Sequence, residues 1–124
     1  MPLFQTPVTI QTNTYQVDRV RIYYPSVVGL ANRYIEQAIN QRIYQQVIAL
    51  QEEQMNYQTG MNMEMIGQFE IKTNERGILS LTLSNYAYSE HMAHGMTLVK
   101  ALTFNLATGQ EYSLADLFQP GSDY

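Results

Sequence analysis

Glu90, His91 and His94 stand together in the stretch "SEHMAHGM", which also holds Gly95 and both histidines of the chain. His-x-x-His spacing can chelate a metal, and Glu90 can add an oxygen ligand. Structural zinc takes four protein ligands, and catalytic zinc three plus a water. The chain has no cysteine, so the missing ligands would have to come from distant carboxylates. The order Glu-His-x-x-His also departs from the metalloprotease signature, which sets its glutamate between two histidines on a helix. No metal site is expected, because the ligand count falls short.

Histidine is the commonest general acid–base, but local sequence places no serine, threonine or acid for a dyad with His94. Glu52 and Glu53 occupy adjacent helix positions and point in different directions. Asp116 is explained by helix capping. No catalytic residue and no cofactor are expected. The simpler reading is a shaped loop, in which Gly95 permits the turn and the His94 imidazole bonds to loop backbone. A binding role is the next expectation, with contacts from Glu90, His91, His94 and Gly95 and from Tyr86 and Tyr88 on the preceding strand. Tyrosine offers a rigid apolar ring with a polar tip, useful at interfaces. The same rings also suit the outer face of a sheet with no partner at all.

The elements that must position this loop follow from hydrophobic spacing. Val8 and Ile10, then Val20, Ile22 and Tyr24, alternate with polar residues and predict two short strands, with Asn13 as the turn and Pro25 as the stop. From Ser26 the period changes. Val27, Ala31, Tyr34, Ile35, Ala38, Ile39, Ile43, Val47 and Leu50 recur every three or four residues, which predicts an amphipathic helix from about Val27 to Gln54 capped by Ser26. Arg33, Gln37, Gln41, Gln45 and Glu52 form its polar face.

Next, Met63, Met65, Phe69 and Ile71 alternate with Glu64, Gln68, Glu70 and Lys72. "TNERG" is a hairpin loop with Gly77 free to take positive φ. Leu79, Leu81 and Leu83 face opposite to Thr82, Tyr86 and Tyr88. After the histidine loop, Leu98, Leu102, Phe104 and Leu106 share a face. Met61, Met63 and Met65 alternate as packing residues rather than as ligands. Ser113 with Asp116 resembles a capping box before a short helix. The expected fold class is α+β: an antiparallel β-meander with one long amphipathic helix on one face. A single domain is expected, with two strands and the long helix over about 1–56 and the meander with its short helix over about 61–118.

Composition limits the function classes. A chain of 124 residues buries about two thirds of the surface its unfolded form exposes. With 45% hydrophobic and 15% charged residues, it is globular, and its polar surface is rich in neutral amides. The net charge of −4 and the lack of any Lys/Arg run argue against nucleic-acid binding. "MPLFQTPVTI" has neither the basic nor the apolar region of a signal peptide, and no apolar run is long enough to span a membrane. The location read from this is cytoplasm or spore if the start is native, and extracytoplasmic if a leader has been removed.

"YAYSEHMAHGMTLVKALTFNLATGQEYSLADLF" resembles a bacterial domain of unknown function with an aromatic strand, an Ala-His-Gly loop, a Phe-Asn/Asp-Leu-x-Thr-Gly turn and a final Leu-x-Asp-Leu-Phe. "YYPSVVGLANRYIEQAIN" is similar to the companion that precedes that domain. Such pairs occur in the extracytoplasmic half of lysozyme-sensing anti-sigma factors, which binds lysozyme, and in front of peptidoglycan deacetylase domains. Others are short proteins of spore-forming Firmicutes. The resemblance implies a non-enzymatic binding module of the cell envelope or of sporulation, with a lysozyme-like or envelope protein as partner. The family loop is often Gly-Gly-Ala-His-Gly, so His94 and Gly95 carry over and His91 is a local difference.

Family members continue past "DLF" into a further helix and strands, for which Ser122 and Asp123 would suit the cap. Lacking that part, the chain is expected to expose apolar surface and an unpaired edge, and to form a homo-oligomer by strand pairing or domain swapping. A self-assembling structural protein is the alternative function, and a hydrolase or metal protein using His94 ranks below both.

Overall fold

The structure, a computed structural model, describes residues 8–57, 63–89 and 95–112. The expected short helix around Ser113 and Asp116, together with Met61, Glu90, His91, His94, Ser122 and Asp123, lies outside the described residues. The elements run β1 (Thr9–Val17), β2 (Val20–Val28), α1 (Arg33–Tyr57), β3 (Glu64–Glu75), β4 (Ile78–Tyr88), β5 (Met96–Asn105) and β6 (Glu111–Tyr112). The strands form one six-stranded sheet in sequential order, with α1 packed on β2, β4 and β5. The α+β class is therefore as expected. One join is not a meander step, because β2 and β3 pair in parallel over Val20–Met65, Arg21–Ile66 and Ile22–Gly67. Parallel neighbours need a long crossover, and α1 is that crossover.

The alternation in "NMEMIGQFEIK" and "ILSLTL" yields β3 and β4 as read. Met65, Leu79, Leu81 and Leu83 are buried, and Gln68, Glu70 and Lys72 are exposed. Lys72 is an extra residue at the register shift between Ile71 and Thr73. The hairpin turns on Arg76 and Gly77, with φ of 55° and 77°. Positive φ at both central residues matches the twist of the flanking strands, and Gly77 adopts it without steric cost.

The first hairpin corrects the sequence reading twice. Asn13 is not its turn but the middle of β1, where its side chain donates to Ser26 Oγ at 2.9 Å. The turn is at Asp18 and Arg19, with Asp18 at φ 51°. Nor does Pro25 end β2, which continues to Val28 with Pro25 opposite Thr12. β2 has left β3 after Ile22, so a proline whose nitrogen faces that open side forfeits no ladder bond. Two residues on, the same open side is closed by a side chain. Asn40 of α1 accepts from Val27 N at 2.7 Å and donates to Val27 O at 2.9 Å.

The helix also starts later than its hydrophobic pattern implied. Val27 belongs to β2 and Ser26 is not the cap. Asn32 is the cap, its Oδ1 accepting from Tyr34 N and Ile35 N at 2.9 and 3.2 Å, while Glu36 reaches back to Leu30 N. Ile39, Ile43, Val47 and Leu50 form the buried stripe. Tyr34 is 85% exposed, and Ala31 and Ala38 are exposed as well. The polar face of Arg33, Gln37, Gln41, Gln45 and Glu52 is exposed as expected. Glu53 lies 3.6 Å from Lys100 of β5, a half-exposed pair that adds little.

The β5–β6 turn is organised by Asn105. Its Oδ1 accepts from Ala107 N and Thr108 N at 2.8 and 3.2 Å, and its Nδ2 donates to Tyr112 OH at 2.9 Å. That places Leu106 in the turn, where it still packs partly buried against the core.

Tyr24 of β2 meets Tyr44 of α1 with ring centroids 5.6 Å apart. Burial, and secondarily the Tyr44 hydroxyl, hold the Tyr24 phenol above its ordinary value of 10.0. The folded state thus keeps its proton where the unfolded chain loses it. Stability from this group is intact below 10.0 and falls as pH rises through the raised value. Urea midpoints measured on either side of 10.0 should show an alkaline decline that is smaller in Tyr24→Phe.

Candidate functional site

The end of β4, the start of β5 and the last turns of α1 converge at one end of the sheet. The inward positions of β4 run Leu79, Leu81, Leu83, Asn85 and Ala87. An amide therefore occupies a place where the alternation calls for an apolar side chain. On α1, Gln54 continues the buried stripe four residues beyond Leu50. Both amides are fully out of water, Gln54 at 0% and Asn85 at 2% exposure.

These two amides satisfy each other and the backbone. Asn85 Nδ2 donates to Gln54 Oε1 at 2.9 Å, and Gln54 Nε2 donates to Met96 O at 2.6 Å. The relay ties α1 to β4 and to the first residue of β5, one residue past Gly95. Among the described residues no buried side-chain nitrogen or oxygen lacks a partner, as a buried polar network requires. Gly67 of β3 makes room for it. A Cβ there would stand 2.6 Å from Ile22 Cγ2 and 2.9 Å from Asn85 Oδ1. Ser89, just past the end of β4, is buried too.

The opposite face of the sheet carries the exposed apolar groups. Ile66 is 46% exposed, Tyr86 43%, Tyr88 41% and Val99 58%. Tyr86 stands opposite Ile66 on one side and Thr97 on the other; Val99 is opposite Ser84, and Tyr88 opposite Glu64. Ile66, Gln68, Ser84, Tyr86 and Thr97 line a shallow hollow of about 350 Å³. The Tyr86 ring tip lies where a Cβ on Gly95 would fall, so glycine is what lets the backbone pass under the ring at this position.

Of the residues named from sequence, the structure brings together Tyr86, Tyr88 and Gly95. Tyr86 and Tyr88 share the outer face as their alternation implied. Glu90, His91 and His94 fall outside the described residues. Gln54, Asn85 and Gly67 were not singled out, though a polar residue on each inward stripe was the signal that could have found them. Among the described residues, no three His, Cys, Asp or Glu side chains lie together as a metal-holding group. None of the described helices is long and apolar enough to cross a membrane.

This is a helix-on-sheet domain in which Met96 at the start of β5 is held by the Gln54–Asn85 amides and Gly95 lies under the Tyr86 ring. The family described as "Deacetylase PdaC" matches residues 9–97, and the chain belongs to that family. Solved structures share the fold. A DUF3298 family protein of Pseudomonas aeruginosa PAO1 is 15% identical, with a TM-score of 0.67 over 94% of this chain and 60% of that one. A DUF3298 family member of Bacteroides fragilis NCTC 9343 is 11% identical, with a TM-score of 0.58 over 96% and 62%. The chain thus spans about three fifths of the length of these relatives. No curated protein matches it.

Proposed function

We propose that this chain is a non-enzymatic, envelope-related protein-binding module, and that its contact surface is the outer sheet face around Tyr86. The observation that carries this reading is the exposed set Ile66, Tyr86, Tyr88 and Val99 beside a loop root held in place from the core side. A preorganised aromatic surface loses little freedom on binding, and tyrosine is a common anchor of such contacts. The resemblance to lysozyme-sensing anti-sigma factors makes lysozyme the partner to test. The net charge of −4 complements a basic lysozyme, which favours encounter.

Titration of the chain against a panel of lysozymes tests the proposal. Saturable binding is expected, weakened about tenfold in Tyr86→Ala, a loss of about 1.4 kcal/mol. Gly95→Ala is expected to weaken binding too, while changing stability little. The added methyl meets the free end of the Tyr86 side chain, which can swing aside but then no longer presents its ring. Binding that survives both substitutions, or no binding by the folded chain, would contradict the proposal. The family description also carries a hydrolytic alternative. Deacetylation of an N-acetylated glycan by this chain, lost in His94→Ala, would overturn the non-enzymatic reading.

A further inference from the structure

Among the described residues β1 is the outer strand of the sheet, and its nine residues, "TIQTNTYQV", include no charge and no proline. Natural sheets blunt an exposed edge with lysine, proline, a bulge or a very short strand. The opposite edge differs among the described residues, since β6 (Glu111–Tyr112) carries the charge of Glu111. β1 has no such charge.

The direction of its backbone groups can be worked out. In an antiparallel ladder, pairs alternate between those that exchange hydrogen bonds and those that do not. Pro25 has no N–H and stands opposite Thr12, so Thr12–Pro25 is a non-bonded pair. Val17–Val20 closes the two-residue turn and is a bonded pair by the same alternation. Val27, on the same parity as Pro25, directs its N–H and C=O away from β1 to Asn40. It follows that Thr9, Gln11, Asn13, Tyr15 and Val17 bond to β2, while Ile10, Thr12, Thr14 and Gln16 point their backbone groups outward. Asn74 closes the Val8 end, accepting from Val8 N at 3.0 Å and donating to Val8 O at 2.8 Å. Thr12, Thr14 and Gln16 remain exposed beyond it.

We propose that a second copy of this chain pairs antiparallel along β1, with the two-fold axis at Thr14. Thr14 then faces Thr14 of the other copy, and Thr12 faces its Gln16. Three bonded pairs supply about six backbone hydrogen bonds. The side-chain pairs formed, Thr with Thr, Thr with Gln, Asn13 with Tyr15 and Gln11 with Val17, place no like charges together. Pairing β1 with itself closes a dimer, because the same edge serves both copies. This edge is separate from the Tyr86 face, so the two proposals stand or fall independently.

The test uses the full chain in sedimentation velocity, with circular dichroism to confirm folding. The wild-type chain is expected to be a dimer. Thr14→Lys and Thr14→Glu each set like charges directly opposite across the axis, which destabilises strand pairing, and each is expected to raise the dimer dissociation constant at least about tenfold. An equimolar mixture of the two variants is expected to recover a heterodimer. A wild-type monomer, or a dimer indifferent to both variants, would overturn the proposal. Capture of an unrelated extended peptide on β1 by a monomeric chain would overturn it as well.

Discussion

Gln54→Leu is expected to destabilise the fold by about 2–5 kcal/mol, among the largest single effects for a side chain of its size. The substitution removes the acceptor of Asn85 Nδ2 and the donor to Met96 O at once. The Asn85 amide left buried without this partner costs about 1–3 kcal/mol, more than an average hydrogen bond contributes, and the lost bond to the part-buried Met96 carbonyl adds to it. The apolar gain from leucine offsets only part of this. Removing the second amide as well recovers some of the loss, because replacing both partners of a buried pair by apolar groups is less costly than orphaning one. The double variant with Asn85→Leu should therefore lie closer to the native chain than the two single losses summed. Urea denaturation of the four proteins checks this, and simple additivity would show that the amides do not act as one unit.

The second large effect is expected at Gly67. A methyl there falls 2.6 Å from Ile22 Cγ2 and 2.9 Å from Asn85 Oδ1. Ile22 is a core residue on the partner strand, and Asn85 is held by Gln54, so neither can swing into solvent. Gly67→Ala should cost about 1–3 kcal/mol by overpacking, and Gly67→Val more. This contrasts with Gly95, where the obstructing atoms belong to the movable end of Tyr86. Thermal unfolding of Gly67→Ala with and without Ile22→Ala separates the causes. Partial recovery in the pair identifies the strand contact, while no recovery points to the Asn85 amide.

The sequence was most legible where one period ran unbroken. β3, β4 and the body of α1 follow their alternation or their three-to-four spacing, and Gly77 marks the hairpin between β3 and β4. It misled where a residue satisfied two patterns. Val27 fits both the end of a strand and the start of a helical stripe, and its place opposite Ile10 of β1, with Asn40 gripping its backbone on the other side, decides for the strand. Asn13 is a good turn former, yet the turn falls at Asp18 and Arg19, which carry no glycine signal. The parallel join of β2 to β3 depends on contacts between residues more than forty apart in the chain, which no local window contains.

The candidate site divides in the same way. Tyr86 and Tyr88 were readable as an outward pair, and Gly95 as a constrained position. The relay beneath them was not, because an amide on an apolar stripe looks like a defect until its partner from another element is known.

Two-dimensional NMR of the isotopically labelled chain, titrated with lysozyme, tests the proposed contact surface most directly. The account predicts shifts concentrated on Ile66, Tyr86, Tyr88, Thr97 and Val99, with the Gln37, Gln41 and Gln45 face of α1 unchanged. Shifts confined to that helix face, or a spectrum unaltered at saturating lysozyme, would contradict it.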